Sequence, residues 1–213
     1  MDEKLATIYD AILDGDVTGT KVGVQAALAA DLQPEVILND GMISAMKEVG
    51  RRFEEGDYYV PEMLVAARAM QTALSQLKPS LVASNVKSSG RVAIGTVKGD
   101  LHDIGKNLVA LMLEGAGYEV EDLGVDVGPE KYIEAILRED VNIVALSALL
   151  TTTMPHMKTT IEAIERAGLR DRVRIIVGGA PVTQSYANEI GADGFSTDAS
   201  SAPGLVESLL QSR

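Results

Sequence analysis

The sequence predicts an α/β protein in which an N-terminal four-helix bundle precedes a five-stranded, doubly wound parallel sheet. Two observations predict this fold class. In the first part of the chain, apolar residues recur at helical spacing; further on, short apolar runs alternate with helical segments, as in successive strand–helix units. We therefore expect a helical bundle at residues 1–78, a linker at 79–90 and the wound sheet at 91–213.

Four helices are predicted in the bundle. The breaks Asp14-Gly15-Asp16 and Gly56-Asp57 separate apolar runs, and Pro34 and Pro61 suit the first turn of a helix. The predicted helices cover residues 5–13, 21–30, 34–53 and 61–74. Methionines recur at helical spacing in the last two, which predicts that they lie in the core: Met42, Met46, Met63 and Met70.

Five strands and five helices are predicted in the second region. The first strand is a short run that is apolar on both sides, as expected of a buried parallel strand. The predicted strands are 92–97, 118–123, 142–146, 174–177 and a weak one near 194–195. The predicted helices are 106–114, 130–138, 157–167, 183–189 and 203–210. Ligands of such sheets bind beyond the carboxyl ends of the strands, at the topological switch point.

The composition excludes several classes of function. Nineteen basic against thirty-one acidic residues give a net charge of −12, which disfavours binding to nucleic acid. The absence of cysteine excludes disulfides, thiolate metal sites and a cysteine nucleophile. We find no secretory signal and no apolar run long enough to span a membrane, so we expect a cytoplasmic protein without a membrane partner.

The loop after the first strand contains the candidate metal ligand, His102. Either Asp100 or Asp103 could accept a hydrogen bond from its other ring nitrogen, as metal-bound histidines require. Gly99 and Gly105 would let the backbone approach a bulky ligand closely. One imidazole cannot hold zinc or iron alone. His102 therefore suits a metal whose other ligands come from a macrocycle, either haem or a corrinoid.

Small and hydroxylated residues follow two other strands. Ser147 and Thr151 offer hydroxyl groups after the third strand, while Gly178 and Gly179 remove side-chain bulk after the fourth. Together they predict a slot that accepts a long insert with polar groups.

These residues resemble the signature of the flavodoxin-like cobalamin-binding domain found in methionine synthase and in the corrinoid proteins of methanol, methylamine and methoxy-compound methyltransferase systems. The run Leu146–Met154 is especially similar to the small methylamine and methanol carriers, and Phe53–Pro61 resembles the helical cap of the methyl-transfer branch. The signature has three elements: Asp100-x-His102-x-x-Gly105, Ser147-x-Leu149 and Gly178-Gly179.

The resemblance implies a bound cobalamin or related corrinoid in the base-off form, with His102 as the cobalt ligand. Asp100 would hydrogen-bond the imidazole, and Ser147 would extend that relay. Phe53 and Val60 would cover the upper, methyl-bearing face. The remaining implied cofactor contacts are Gly99, Leu101, Asp103, Ile104, Gly105, Leu149, Thr151, Gly178, Gly179 and Ala199.

The resemblance also implies a function as a methyl carrier. A substrate-specific methyltransferase would load the methyl group, and a second methyltransferase would pass it to tetrahydrofolate or coenzyme M. A reductive activator is a further implied partner. The chain would be one subunit of an enzyme system rather than a complete enzyme, and its methyl donor stays open among methanol, methylamines, betaines and methoxyaromatics.

Other functions agree less well with the sequence. A phospho-receiver domain needs an aspartate where Ser147 stands, and the loop after the first strand lacks the phosphate-binding residues of an FMN site. The main alternative is a cobalamin-dependent sensor or regulatory module. We expect no DNA-binding module and no mutase barrel in this chain, which favours the carrier.

Overall fold

The computed structural model describes residues 2–84, 86, 88–138 and 140–212. It divides into two compact units. The first unit is Met1–Ser89 with Glu114–Gly117, and the second is Gly90–Leu113 with Tyr118–Arg213. Among the described residues, no helix is both long enough and apolar enough to cross a membrane.

The first unit is helical, as predicted. Aspartates cap its first two helices: the carboxylate of Asp2 accepts the amide of Lys4, and that of Asp16 accepts the amides of Thr18 and Gly19. The Asp16 cap explains why the second helix begins before its predicted start. The helices are α1 (Glu3–Leu13), α2 (Val17–Ala29), α3 (Pro34–Val36), α4 (Ser44–Glu54) and α5 (Val60–Ala83).

A π-helical segment, Ile37–Ile43, joins α3 directly to α4. The three pieces form the single helical stretch predicted from residue 34, but the apolar spacing gave no sign of the wider turn. The π geometry is visible where the amide of Ser44 bonds the carbonyl of Asn39. Such turns often occur at functional sites.

The core of the helical unit is rich in methionine. Met42, Met46, Met63 and Met70 are at most 2% exposed, which confirms the prediction that they are core residues. Ile8 and Ile12 of α1 are fully buried as well. Flexible thioethers fill irregular gaps well, which suits a bundle with a π turn in one helix.

Helix α5 extends beyond its predicted end. It runs to Ala83 with Pro79 inside it, so residues 79–83 of the segment expected to be a linker are helical. The Lys78-Pro79 pair suggested an earlier end because proline removes one intrahelical hydrogen bond. Asn85 and Lys87 of the same segment lie outside the described residues.

The second unit contains the predicted five-stranded sheet, and all its strands are parallel. The strand order is β2-β1-β3-β4-β5, so the chain leaves β1 in one direction, then crosses back to β3 on its other side. The switch point therefore lies between β1 and β3. The strands are β1 (Arg91–Thr96), β2 (Glu119–Asp122), β3 (Ile143–Ser147), β4 (Arg174–Gly178) and β5 (Gly194–Phe195).

Helices connect these strands. Residues that alternate along β3 and β4 pack with Tyr132, Ile161 and other apolar side chains from the helices in one buried cluster. The predicted strand–helix alternation is confirmed. The helices are α6 (Ile104–Gly115), α7 (Pro129–Arg138), α8 (Pro155–Arg166), α9 (Gln184–Glu189) and α10 (Ala202–Gln211).

A buried lysine holds the start of α6 against the end of β2. Lys106 is 2% exposed, and its Nζ lies 2.5 Å from Oδ2 of Asp122 and 2.5 Å from Oδ1 of Asn107. The second carboxylate oxygen of Asp122 accepts the amide of Gly124. This ion pair fixes the helix that follows the β1 loop.

Candidate functional site

The chain turns sharply after β1. The amide of Asp100 donates to the carbonyl of Val97 at 3.1 Å, and Gly99 adopts a left-handed backbone with φ +79°. This combination is typical of a type II turn, whose third position favours glycine. Val97 is tied to the neighbouring strand, since its amide bonds the carbonyl of Ser147 at 3.0 Å. The turn places Asp100 at the switch point, where it is fully buried.

Asp100 holds His102 in two ways. Oδ1 of Asp100 lies 2.8 Å from Nδ1 of the imidazole and also accepts the backbone amide of His102 at 3.1 Å. The carbonyl of His102 accepts the hydroxyl of Thr96 at 3.0 Å. A carboxylate partner favours the hydrogen on Nδ1, which leaves the lone pair on Nε2. The His102 side chain is 50% exposed, so the imidazole can be reached by a ligand.

The other oxygen of Asp100 is held by the loop after β3. Oδ2 accepts the amide of Leu149 at 2.9 Å, the amide of Leu150 at 3.4 Å and the hydroxyl of Thr153 at 2.6 Å. The hydroxyl of Thr153 also lies 2.9 Å from the carbonyl of Leu150. The carboxylate therefore joins the β1 loop to the β3 loop.

These contacts decide the charge of Asp100. Burial by itself would raise the pKa of this carboxyl group, but hydrogen bonds from Thr153, Leu149 and His102 outweigh it and hold the pKa well below its ordinary value. Asp100 is consequently an anion at neutral pH. A buried anion beside the imidazole stabilises the Nδ1–H form that metal ligation through Nε2 requires.

Of the two acidic residues that the sequence offered as partners for His102, the structure brings Asp100 to the imidazole. Asp103 instead belongs to the start of α6. Its carbonyl accepts the amide of Asn107 at 2.7 Å, and its carboxylate accepts the side-chain amide of the same residue at 3.2 Å.

Ser147 does not extend the relay in this structure. Among the described residues its hydroxyl donates no hydrogen bond to Asp100, and Ser147 pairs within the sheet with Thr96. Thr153, six residues further along the chain, makes that contact instead. Sequence position favoured Ser147 over Thr153 because Ser147 directly ends β3. The run Thr151–Thr153 after β3 was the signal that could have identified a hydroxyl reaching back to Asp100.

The two adjacent glycines at the end of β4, Gly178 in the strand and Gly179 directly after it, have different reasons to be glycine. A Cβ on Gly179 would lie 1.9 Å from the carbonyl oxygen of Ala148, and its φ of +130° disfavours side chains. The fold itself therefore requires Gly179. A Cβ on Gly178 would meet nothing closer than 3.5 Å, and a Cβ on Gly105 would meet nothing within 4 Å. The chain's own atoms do not require glycine at those two positions, as expected if a ligand lies there.

The loop after β5 is organised around Asp198. Its carboxylate accepts hydrogen bonds from Thr197, Ser200 and Ser201, which lower the pKa of this group although burial alone would raise it. Ala199, a predicted cofactor contact, is largely buried within this turn at 8% exposure. Because all strands of the sheet are parallel, this loop after β5 lies at the same edge of the sheet as the loop after β1 that contains His102.

Large aliphatic side chains are exposed in the two loops that hold Asp100 and His102. Leu101 and Ile104 are 70% and 82% exposed, and Leu149 and Leu150 are 42% and 41% exposed. Exposed aliphatic side chains in the loops that hold an accessible imidazole suit contact with a large apolar ligand. Among the described residues, no three histidine or acidic side chains come together as a metal site, so a metal on His102 needs further ligands from a macrocycle.

Phe53 and Val60, the predicted cap residues, belong to the helical unit. Phe53 lies in the last turn of α4 and is half-buried, whereas Val60 is the first residue of α5 and is 41% exposed. The loop between them is held by Arg52, whose guanidinium donates to the hydroxyl of Tyr58 at 2.8 Å. Tyr58 in turn donates to the carbonyl of Leu13 at 3.3 Å.

The chain matches known protein families over both units. A B12 binding domain family matches residues 90–203, and a second family with the same description matches residues 5–78. Trimethylamine corrinoid protein 1 of Methanosarcina acetivorans is 41% identical, with 98% of each chain covered. Dimethylamine corrinoid protein 3 of the same organism is 42% identical, with 97% of this chain and 96% of that protein covered.

A solved structure agrees in fold as well as in sequence. The methanol:cobalamin methyltransferase complex of Methanosarcina barkeri contains a chain that is 30% identical and superposes with a TM-score of 0.88. The match covers all of this chain and 81% of that one. Because the relatives cover nearly the whole length and one B12 binding domain match spans more than half of it, the chain belongs to the family of B12-binding corrinoid proteins.

Proposed function

We propose that the chain is a methyl carrier: it binds a corrinoid through His102, receives a methyl group from a substrate-specific methyltransferase and delivers it to a second methyltransferase. The observation that carries this proposal is the pairing of a buried Asp100 anion with Nδ1 of an accessible imidazole. The corrinoid proteins of similar sequence, and the methyltransferase complex of similar structure, support it.

The residues present fit a corrinoid. When bound, a corrinoid supplies a cobalt centre that can take up and release a methyl group. Nε2 of His102 would hold the cobalt in the base-off, His-on form, and Leu101, Ile104, Leu149 and Leu150 would line the lower face. By resemblance, the contacts to the nucleotide tail and the corrin rim would come from Gly105, Thr151, Gly178, Gly179 and Ala199.

The chain's own residues provide a proton relay. Asp100 keeps the hydrogen on Nδ1 while Nε2 is a ligand, and it would stabilise the imidazolium when Nε2 is released and takes up a proton. Thr153 donates to the opposite oxygen and helps to keep Asp100 ionised throughout. His102 release and proton uptake would therefore be coupled, and Asp100 and Thr153 would set their balance.

The helical unit would protect the methyl-bearing face of the cofactor. In the resemblance that supports this role, Phe53 and Val60 are the covering residues, and partner methyltransferases need access to the same face. The helical unit must then move aside during transfer, as lids do in many enzymes. This role stays a proposal.

Methylated amines are the donor class to test first. The two relatives described above are named for trimethylamine and dimethylamine, and each is about as similar to this chain as the other. The partners would then be a methylamine-specific methyltransferase and an acceptor methyltransferase, with a reductive activator to restore an oxidised cofactor.

The test is the absorption spectrum of purified protein incubated with methylcobalamin and freed of unbound cofactor. The chain has two histidines, so His156→Ala is a matched control for His102→Ala. We expect the wild type and His156→Ala to retain about one corrinoid per chain with the same spectrum, and His102→Ala to lose the cofactor or change its spectrum. Equal retention and equal spectra in all three proteins would overturn ligation by His102.

A further inference from the structure

Asp126, in the loop between β2 and α7, has an unusual backbone. Its φ is +53°, and in the part of the chain that the structure describes only one other residue besides glycine, Asp31, has a positive φ. Left-handed backbone costs free energy for residues with a side chain and often marks a functional position. Aspartate and asparagine tolerate it better than other side chains.

Asp126 holds the turn after β1 from two directions. Its Oδ1 accepts the amide of Gly99 at 2.8 Å, and its own amide donates to the carbonyl of Asp100 at 2.9 Å. The two hydrogen bonds hold the amide of Gly99 and the carbonyl of Asp100, two residues that come shortly before His102 in the loop after β1. With its left-handed backbone, Asp126 presents both its amide and its carboxylate to the same short segment.

The turn is thereby held by the loops of both strands that neighbour β1. The carboxylate of Asp100 is held by Leu149 and Thr153 from the loop after β3. The backbone of Asp100 is held by Asp126 from the loop after β2. A rotation of the Gly99–Asp100 segment would break both sets and move Oδ1 of Asp100 away from the imidazole of His102.

The ion pair of Asp126 is secondary to these backbone contacts. Nζ of Lys98 lies 3.1 Å from Oδ2, and the two side chains are 56% and 44% exposed. Exposed ion pairs contribute little because solvent screens them. The Gly99 amide and, after it, Lys98 lower the pKa of Asp126, so the acceptor is an anion at neutral pH.

We propose that Asp126 is a positioning residue for corrinoid binding: it fixes the Gly99–Asp100 backbone so that Asp100 keeps His102 oriented toward the cobalt. The inference rests on the proposed function, because it concerns the ligand loop of that same site. Asp126 makes no hydrogen bond with His102 or with the carboxylate of Asp100 among the described residues, so its proposed effect passes through the backbone of Gly99 and Asp100.

Two substitutions of Asp126 separate its hydrogen bond from its backbone conformation, and two further substitutions serve as controls. Asp126→Asn keeps an acceptor and tolerates the left-handed backbone, whereas Asp126→Gly favours that backbone but removes the acceptor. Asp31→Gly is the matched control: Asp31 has φ +58°, and its carboxylate accepts no hydrogen bond from the described residues. Lys98→Met removes only the exposed ion pair.

Three measurements are made on each protein. In the cofactor-free protein, hydrogen exchange of the Gly99 amide is followed by NMR. In protein labelled with ¹⁵N-histidine and loaded with cob(II)alamin, electron paramagnetic resonance gives the fraction of cobalt split into a doublet by one ¹⁵N ligand. The dissociation constant for methylcobalamin completes the set.

For Asp126→Gly we expect faster exchange at Gly99, a smaller doublet fraction and a dissociation constant raised about tenfold, the lower end for groups that orient a metal ligand. For Asp126→Asn, Lys98→Met and Asp31→Gly, the dissociation constant should stay within about twofold of the wild-type value. Wild-type behaviour of Asp126→Gly, or equal losses in Asp126→Asn and Asp126→Gly, would overturn the inference. Failure of the wild type to show the doublet would instead contradict the proposed function.

Discussion

The hydroxyl oxygen of Thr153 lies 2.6 Å from Oδ2 of Asp100, the carboxylate oxygen that His102 does not contact. One buried carboxylate thus divides its two oxygens between His102 and the loop after β3. The site is a three-residue chain of hydrogen bonds, Thr153–Asp100–His102, across the switch point of the sheet. Each link can be tested by changing one donor or one acceptor.

Thr153→Val removes the hydroxyl while keeping the shape of the side chain. Asp100 then loses one donor in a buried position, so we expect the free energy of unfolding of the cofactor-free protein to fall by about 1–3 kcal/mol. Urea denaturation measures it. Thr153→Ser keeps the hydroxyl and should be much closer to the wild type, and an equal loss in Ser and Val would contradict the role of the hydrogen bond.

Asp100→Asn should invert the tautomer of His102. The amides of Leu149 and Leu150 and the hydroxyl of Thr153 all donate toward Oδ2, so the asparagine oxygen should turn to them and its NH₂ group to the imidazole. Nδ1 must then accept, and the hydrogen moves to Nε2, where it blocks ligation.

We therefore expect Asp100→Asn to weaken corrinoid binding about 10- to 100-fold. Nitrogen chemical shifts of ¹⁵N-labelled His102 in the cofactor-free variant report the tautomer directly, with His156 as internal reference. Methyl transfer at the wild-type rate, or an unchanged tautomer, would contradict the relay.

Acid should weaken the folded protein partly through Asp100. Its pKa in the folded state lies below the ordinary value of about 3.9, so between those values the unfolded chain binds a proton that the folded chain does not. The contribution to stability is complete above that window and is lost as the pH falls through it. Asp100→Asn lacks this contribution.

The gap in unfolding free energy between the wild type and Asp100→Asn should hence narrow as the pH falls from about 5 to about 3. Urea denaturation at a series of pH values measures it in cofactor-free protein. A gap that stays constant over this range would mean that the hydrogen bonds do not stabilise the ionised form of Asp100.

The adjacent glycines at the end of β4, Gly178 and Gly179, should respond differently to substitution by alanine. Gly179→Ala forces a Cβ to 1.9 Å from the carbonyl of Ala148 and should destabilise the cofactor-free protein by about 3 kcal/mol or more. Gly178→Ala meets only ordinary contacts, so its stability should stay within about 0.5 kcal/mol of the wild type. If the nucleotide tail passes Gly178, this variant nevertheless binds methylcobalamin more weakly, and unchanged binding would remove Gly178 from the proposed contacts.

The fold and the loop after β1 could be predicted from the sequence because local patterns encode them. Apolar runs of strand length defined the sheet, and Asp100 and His102 are two residues apart in one turn. The features that the sequence did not predict depend on contacts between residues that are far apart in the sequence. Thr153 reaches Asp100 because the loops after β1 and β3 meet at the switch point. The run Thr151–Thr153 offers hydroxyl groups, but the local sequence does not say which of them makes this contact.

Other differences have similar causes. The requirement for Gly179 comes from the carbonyl of Ala148, which is remote in sequence. The π segment Ile37–Ile43 and the passage of α5 through Pro79 depend on packing in the helical unit rather than on residue preference. The role of Asp126, which has a left-handed backbone, likewise depends on the loop after β2 lying beside the turn after β1, where Asp126 contacts Gly99.

Ligation of cobalt by His102 is tested most directly by isotope labelling of the histidine nitrogens. The protein is prepared with ¹⁴N- or ¹⁵N-histidine, loaded with cob(II)alamin and studied by electron paramagnetic resonance. A histidine ligand predicts a change from a three-line to a two-line splitting in the wild type and in His156→Ala, and no isotope effect in His102→Ala. A wild-type spectrum that is identical for both isotopes would contradict the account.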